Sequence, residues 1–151
     1  MADNNSIVTN RQARHDYFIV ETFEAGIQLR GSEIKSIRKR LANLKDSFAR
    51  VEKGEVFLYN MHVSPYEFAR LEETDPKRPR KLLLKKSQIA HIFVKTSEKG
   101  LTIIPLRLYL KKGLAKVEIA LAKGKKFFDK REAIKAKDAK REVDRALRKR
   151  R

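Results

Sequence analysis

The stretch LRLYLKKGLAKVEIAL, residues 106–121, constrains the fold more than any other. Leu106, Leu108 and Leu110 alternate with Arg107, Tyr109 and Lys111, and beyond Lys112-Gly113 the residues Ala115, Val117, Ile119 and Leu121 alternate in the same way. A period of two is the mark of a half-buried strand, and a Lys-Gly step between two such runs is a tight turn. The chain is therefore committed to an antiparallel hairpin with one wet and one dry face.

Other segments extend that sheet. SFARVEKGEVFLY (47–59) reads as a second hairpin around Lys53-Gly54. DYFIVETF (16–23) is β-branched and aromatic on both faces, which suits a central or barrel strand; Gly26 is expected to interrupt it before IQL resumes as another strand. GSEIKSIRKRL places Ile34, Ile37 and Leu41 at helical spacing, with Ser32 as cap and Lys35, Arg38 and Lys39 on a basic outer face. SPYE (64–67) has the form of a capping box opening a short helix over about 65–70, and Ile89, Ile92 and Phe93 define a helix over about 86–98 that Gly100 stops. Two prolines within EETDPKRPRKLLL (72–84) predict a basic loop carrying Lys77, Arg78, Arg80 and Lys81, tethered by the leucines that follow. Residues 1–10 are polar and expected to be loose.

Six or seven short strands and about three helices, mostly joined by tight turns, fit a small antiparallel barrel better than a βαβ sandwich. The fold class expected is mainly β with α, of the oligonucleotide-binding kind. Two units follow from composition: residues 1–122 form the barrel, and 123–151 form a basic tail.

Charge separates those units. The 151 residues carry a net charge of +18, and the last 29 hold fourteen Lys/Arg against five Asp/Glu, half of the excess. Such an imbalance is favourable beside a polyanion. The tail has helix-forming composition, but its apolar stripe of Ala136, Ala139, Val143, Ala146 and Leu147 is thin. Ion pairs three or four residues apart stabilise a helix by only about 0.2–0.5 kcal/mol each. A tail of this kind is expected to be disordered alone and to order on a charged surface.

Several chemistries lack residues. Without cysteine there is neither a disulfide nor a thiolate metal site, and a reducing cytosol is the expected setting. His15, His62 and His91 are far apart and read as polar or packing histidines, so neither metal nor cofactor is expected. No serine lies in a G-x-S-x-G elbow and no glycine-rich phosphate loop is present, so the chain is expected to be non-catalytic. No long apolar run suggests a secretory signal or a membrane span. Tyr17, Tyr59, Tyr66 and Tyr109 are candidates to stack on bases, with core or rim packing the alternative.

NRQARHDYFI (10–19), FEAGIQLRGSEIKSIR (23–38), DPKRPRKLLL (75–84), TIIPLRLYLKKGLAKVEIALAKGKK (102–126) and DKR (129–131) together resemble the SsrA-binding protein family in order and across nearly the whole chain. These small B proteins are the bacterial partners of transfer-messenger RNA in ribosome rescue. The resemblance implies an oligonucleotide-binding-type barrel that holds the tRNA-like domain of that RNA, standing in for a missing anticodon arm. It also implies that the tail enters the decoding centre and mRNA channel of a stalled ribosome and becomes helical there. Carried over, the RNA-facing body residues are Asn10, His15, Glu24, Leu83 and Lys116, with Arg14 and Lys81 on phosphates. Glu24 would accept hydrogen bonds from a base edge or ribose, a carboxylate that merely fixes a turn being the alternative; for Leu83 the alternative is core packing. The tail residues are Gly124, Lys125, Lys126, Phe128, Asp129, Lys130 and Arg131. Phe128 stands where the family often has histidine or tyrosine, and the tryptophans frequent in the family are absent. A cytoplasmic monomer is implied, while a general barrel-type RNA-binding or ribosomal protein is the competing reading, since charge alone would serve either.

Overall fold

The computed structural model describes residues 6–65 and 75–125. The late hairpin is its spine: β8 (Thr102–Lys111) and β9 (Leu114–Gly124) pair along their length. Lys112 and Gly113 turn between them with φ of 52° and 78°. Both angles are left-handed, as a two-residue turn matched to strand twist requires. The earlier hairpin repeats the device. β4 (Phe48–Glu52) and β5 (Glu55–Tyr59) are joined by Lys53 at φ 51° and Gly54 at φ 77°.

Gly26 does not break a strand. β2 is continuous from Tyr17 to Ile27, and Gly26 lies within it, paired with Lys116 on one side and Leu83 on the other. Glu24 is consequently a strand residue rather than a turn residue. The proline-rich segment also contains a strand: β7 (Arg80–Leu83) bridges β5 and β2, correcting the expectation of a loop as far as residue 84. The prolines precede it and leave its donors free to pair.

The strand order β8-β4-β5-β7-β2-β9 returns to β8, because β9 pairs with both β2 and β8. Closure removes the free edges of these six strands and gives the barrel expected from the sequence. β1 (Ser6–Thr9) adds to β8, so residues 6–9 are held in the sheet and not loose. β3 (Ala42–Asn43) and β6 (His62–Val63) form a separate two-stranded pair, bringing the described strands to nine, more than the six or seven anticipated.

Ile37, Leu44, Leu58, Met61, Leu82, Ile92, Leu108 and Ile119 fill the main core. A second cluster of Ala13, Ile104, Leu106, Ala120 and Ala122 packs beneath the first helix. Leu106 and Leu108, two residues apart, thus belong to different clusters. A register shift between Pro105 and Arg107 inserts an extra residue into β8 and undoes the simple alternation.

Among the described residues three helices decorate the barrel: α1 (Arg11–Asp16), α2 (Gly31–Arg38) and α3 (Lys86–Lys99). α2 begins after Arg30 rather than on Ser32; the Glu33 carboxylate accepts the Arg30 N–H at 2.8 Å. Leu41 falls beyond its end and is exposed. α3 ends on Gly100 at φ 62°, as the sequence predicts, but only Ile92 of its apolar residues is fully buried and Phe93 is exposed. The helix expected over 65–70 lies outside the described residues, and α1 was not anticipated.

Candidate nucleic-acid interface

The outer face of β2, β9 and β8 gathers Glu24, Glu118, Arg107, Lys111 and Lys116 around the phenol of Tyr109. Register sets two rows across these strands: Glu24 opposite Glu118 opposite Arg107, then Gly26 opposite Lys116 opposite Tyr109. The Tyr109 hydroxyl donates to Glu24 Oε2, and Lys111 Nζ lies 3.3 Å from Glu24 Oε1. The Arg107 guanidinium lies over the Tyr109 ring, 4.1 Å from its centroid, while its Nε is 3.6 Å from Glu118. Tyr109 is therefore 3% exposed although it points away from the barrel interior. The hydrogen bond from Tyr109, more than the charges of Lys111 and Lys116, holds the Glu24 carboxyl below the usual carboxylate range. Burial and the same bond push the Tyr109 phenol up.

Leu83 adjoins this face. It is 52% exposed and pairs with Gly26, where an added Cβ would come within 3.2 Å of its own Cβ. Glycine there lets the leucine lie across β2. Core packing, the alternative for Leu83, is excluded by its exposure; its neighbour Leu82 fills the core instead. Lys81 points to the same side of β7 as Leu83 and pairs with Glu55 at 2.7 Å.

A second group gathers around α1. Asn10 precedes the helix, and its side-chain amide donates to the Pro105 carbonyl at 2.9 Å while its N–H donates to Leu106. These bonds fasten α1 to the irregular part of β8. Arg14 and His15 are exposed in the last turn, with His15 Nδ1 3.0 Å from Asp16. Gly124 pairs with Tyr17 at the end of β9. Lys125 then donates to the Arg14 carbonyl at 3.1 Å and sits 5.0 Å from the Phe18 ring centroid. Tyr17 and Glu24 are seven positions apart on β2, roughly 20 Å of strand.

The structure thus brings Glu24, Leu83 and Lys116 together, with Lys81 beside them, and sets Asn10, Arg14, His15, Gly124 and Lys125 at the other end of β2. Lys126, Phe128, Asp129, Lys130 and Arg131 lie outside the described residues. Arg80, counted with the basic loop from sequence, is fully buried and is not part of any surface. Among the described residues no group of three or more His, Asp or Glu side chains is placed to hold a metal ion. No helix among them is long and apolar enough to cross a membrane.

The model of a family described as SmpB protein matches residues 7–149. The chain belongs to this family. An SsrA-binding protein of Caldicellulosiruptor saccharolyticus is 61% identical over 141 residues, covering 93% of this chain and 89% of the relative. Another, from Pelotomaculum thermopropionicum, is 58% identical over 144 residues, covering 95% and 94%. A solved structure described as "tmRNA-SmpB: a journey to the center of the bacterial ribosome" is 48% identical with a TM-score of 0.65, covering 78% of this chain and 82% of that one.

For an SmpB-family chain the sequence left one group unseen. Tyr109 and Lys111 hold Glu24, yet alternation marked Tyr109 only as a wet-face residue or a stacking ring. Its signal was a tyrosine flanked by Arg107 and Lys111 on the same face, which identifies a phenol among cations but not the carboxylate 85 residues away that it binds.

Proposed function

We propose that this chain is a non-catalytic RNA-binding factor of ribosome rescue. It binds the tRNA-like domain of transfer-messenger RNA and delivers it to stalled ribosomes for trans-translation. The observation that carries this reading is the identity of 58–61% to SsrA-binding proteins over nearly the whole chain. The likeness to the solved tmRNA-SmpB structure supports the same partners.

The body, residues 1–122, presents Glu24, Leu83 and Lys116 to the folded RNA, with Lys81 and Arg14 on phosphates, Asn10 just before α1 and His15 in its last turn. Strand β9 runs two residues past that boundary, so the tail of 123–151 leaves the barrel beside Tyr17. With a net charge of +9, the tail is suited to a channel walled by rRNA phosphates, where counterion release drives entry. Gly124, Lys125, Lys126, Phe128, Asp129, Lys130 and Arg131 contact the decoding centre in this scheme. Phe128 stacks without offering a ring nitrogen. The protein acts as a monomer in the cytoplasm, without cofactor.

The test is a competition at fixed salt between the tRNA-like domain and a charge-matched tRNA. A clear preference for the tRNA-like domain is expected. Equal affinity would instead favour a general RNA-coating protein held by charge alone.

A further inference from the structure

We propose that Tyr109 is a positioning residue for RNA recognition: its hydroxyl fixes the Glu24 carboxylate so that Oε1 accepts a hydrogen bond from an RNA N–H or O–H donor. The inference rests on the reading of Glu24 as an RNA contact and adds how the fold prepares that group. A phenol has one proton to give, and here it goes to Glu24 Oε2. With 3% exposure and Arg107 over its ring, Tyr109 cannot itself reach an RNA. What it does is hold one carboxylate oxygen, while the other, 3.3 Å from Lys111 Nζ on a side chain that is 41% exposed, keeps a lone pair for a further donor.

The surroundings decide what that oxygen can take. Glu24 is faced from β8 by Tyr109 and Lys111 and from β9 by Lys116, with Glu118 opposite it in register and Arg107 tied to Glu118. A phosphate placed against Glu24 would meet a fixed negative charge, so phosphate is left to Lys116 while Glu24, paired with Lys111, rejects it. A ribose 2′-hydroxyl or the amino edge of an unpaired base carries the donor that the carboxylate lacks. Glu24 thereby adds selectivity that the phosphate contacts of Arg14 and Lys81 cannot supply. A mobile glutamate would have to surrender rotamer freedom on binding, whereas the bond from Tyr109 removes that freedom beforehand.

The experiment uses the full chain and the isolated tRNA-like domain. Tyr109→Phe keeps the ring and its contact with Arg107 but removes the hydroxyl, and is expected to weaken binding about tenfold, the effect of one positioned hydrogen bond to a charged group. The slope of affinity against salt should stay as in the unmodified protein, because no phosphate contact is lost. Tyr109→Phe combined with Glu24→Gln should bind no worse than Glu24→Gln alone. The acid limb of binding should move to higher pH in Tyr109→Phe, since the largest influence lowering the Glu24 carboxyl is gone. RNA carrying 2′-deoxyribose, or inosine in place of guanosine, identifies which donor Glu24 receives. Glu24→Asp, which keeps the charge at an exposed position but draws it out of reach of Tyr109, should show a similar loss and decides the matter if Tyr109→Phe does not fold. Unchanged affinity and acid limb in Tyr109→Phe, or additive losses in the double variant, would overturn the proposal. Lack of preference for the tRNA-like domain by the unmodified chain would overturn the proposed function instead.

Discussion

The Arg80 guanidinium, with no exposure to solvent, donates to the Glu33 carboxylate at 2.7 Å across 47 residues of chain. It also donates to the carbonyls of Met61 at 2.7 Å, Pro76 at 3.1 Å and Arg78 at 3.2 Å. Arg78 completes the site, its Nε 3.2 Å from the same carboxylate. One buried arginine thus joins α2, the link between β5 and β6, the proline segment and β7. Because Arg80 and Leu82 point inward, this anchor sets the register that turns Lys81 and Leu83 outward; a slip of one residue would exchange the two faces.

Arg80→Met should destabilise the barrel by about 3–5 kcal/mol, because the buried Glu33 carboxylate loses one of its two arginine partners and the carbonyls of Met61, Pro76 and Arg78 lose their donor. Chemical denaturation followed by circular dichroism measures this. A loss within error would mean that the pair contributes no stability.

Acid should act through the same pair. Burial pushes the Glu33 carboxyl up, but the bonds from Arg78, the Arg30 N–H and Arg80 outweigh it and hold the group below its ordinary value of 4.5. The unfolded chain therefore binds this proton more tightly than the folded one. The contribution to stability is complete above pH 4.5 and is lost as pH falls through the lower folded value. Denaturation midpoints between pH 7 and 3 should fall more steeply for the unmodified protein than for Glu33→Gln.

Leu82 and Leu83 offer a direct contrast between packing and binding. Leu82→Ala, at 1% exposure, should cost about 2–5 kcal/mol of stability. Leu83→Ala should change stability by about 0.5 kcal/mol or less, yet weaken RNA binding. Thermal melts and binding isotherms on both variants separate the two effects, and normal RNA affinity in Leu83→Ala would remove that residue from the interface.

Gly26→Ala probes the approach of Leu83 to β2. The new methyl would sit 3.2 Å from Leu83 Cβ, so the exposed leucine must move by a few tenths of an ångström. Stability should fall by less than about 1 kcal/mol, while RNA affinity should fall with the displacement of Leu83. Unaltered affinity would show that the leucine's position is not read.

Ending the chain after Lys125 preserves the pairing of Gly124 with Tyr17 and the bond from Lys125 to the Arg14 carbonyl. Binding to the tRNA-like domain should be mostly retained, and tagging of stalled peptides in a reconstituted translation reaction should be abolished. Loss of RNA binding on this truncation would contradict the division into body and tail.

Local pattern determined the two Lys-Gly hairpins, the α3 stop at Gly100 and the barrel class, because alternation, turn chemistry and capping act over a few neighbouring residues. The motifs shared with the family also pointed to Glu24, Leu83 and Lys116. Tertiary structure alone decided that Arg80 is a core residue and not part of a basic surface, that Leu83 faces solvent while Leu82 does not, and that Glu24 is held by Tyr109. Each outcome depends on a partner between about fifty and ninety residues away, or on a bulge that moves Leu106 and Leu108 into separate clusters. Strand closure chooses such partners by satisfying backbone donors and burying charge in pairs, and neither requirement leaves a trace in the periodicity of a single segment.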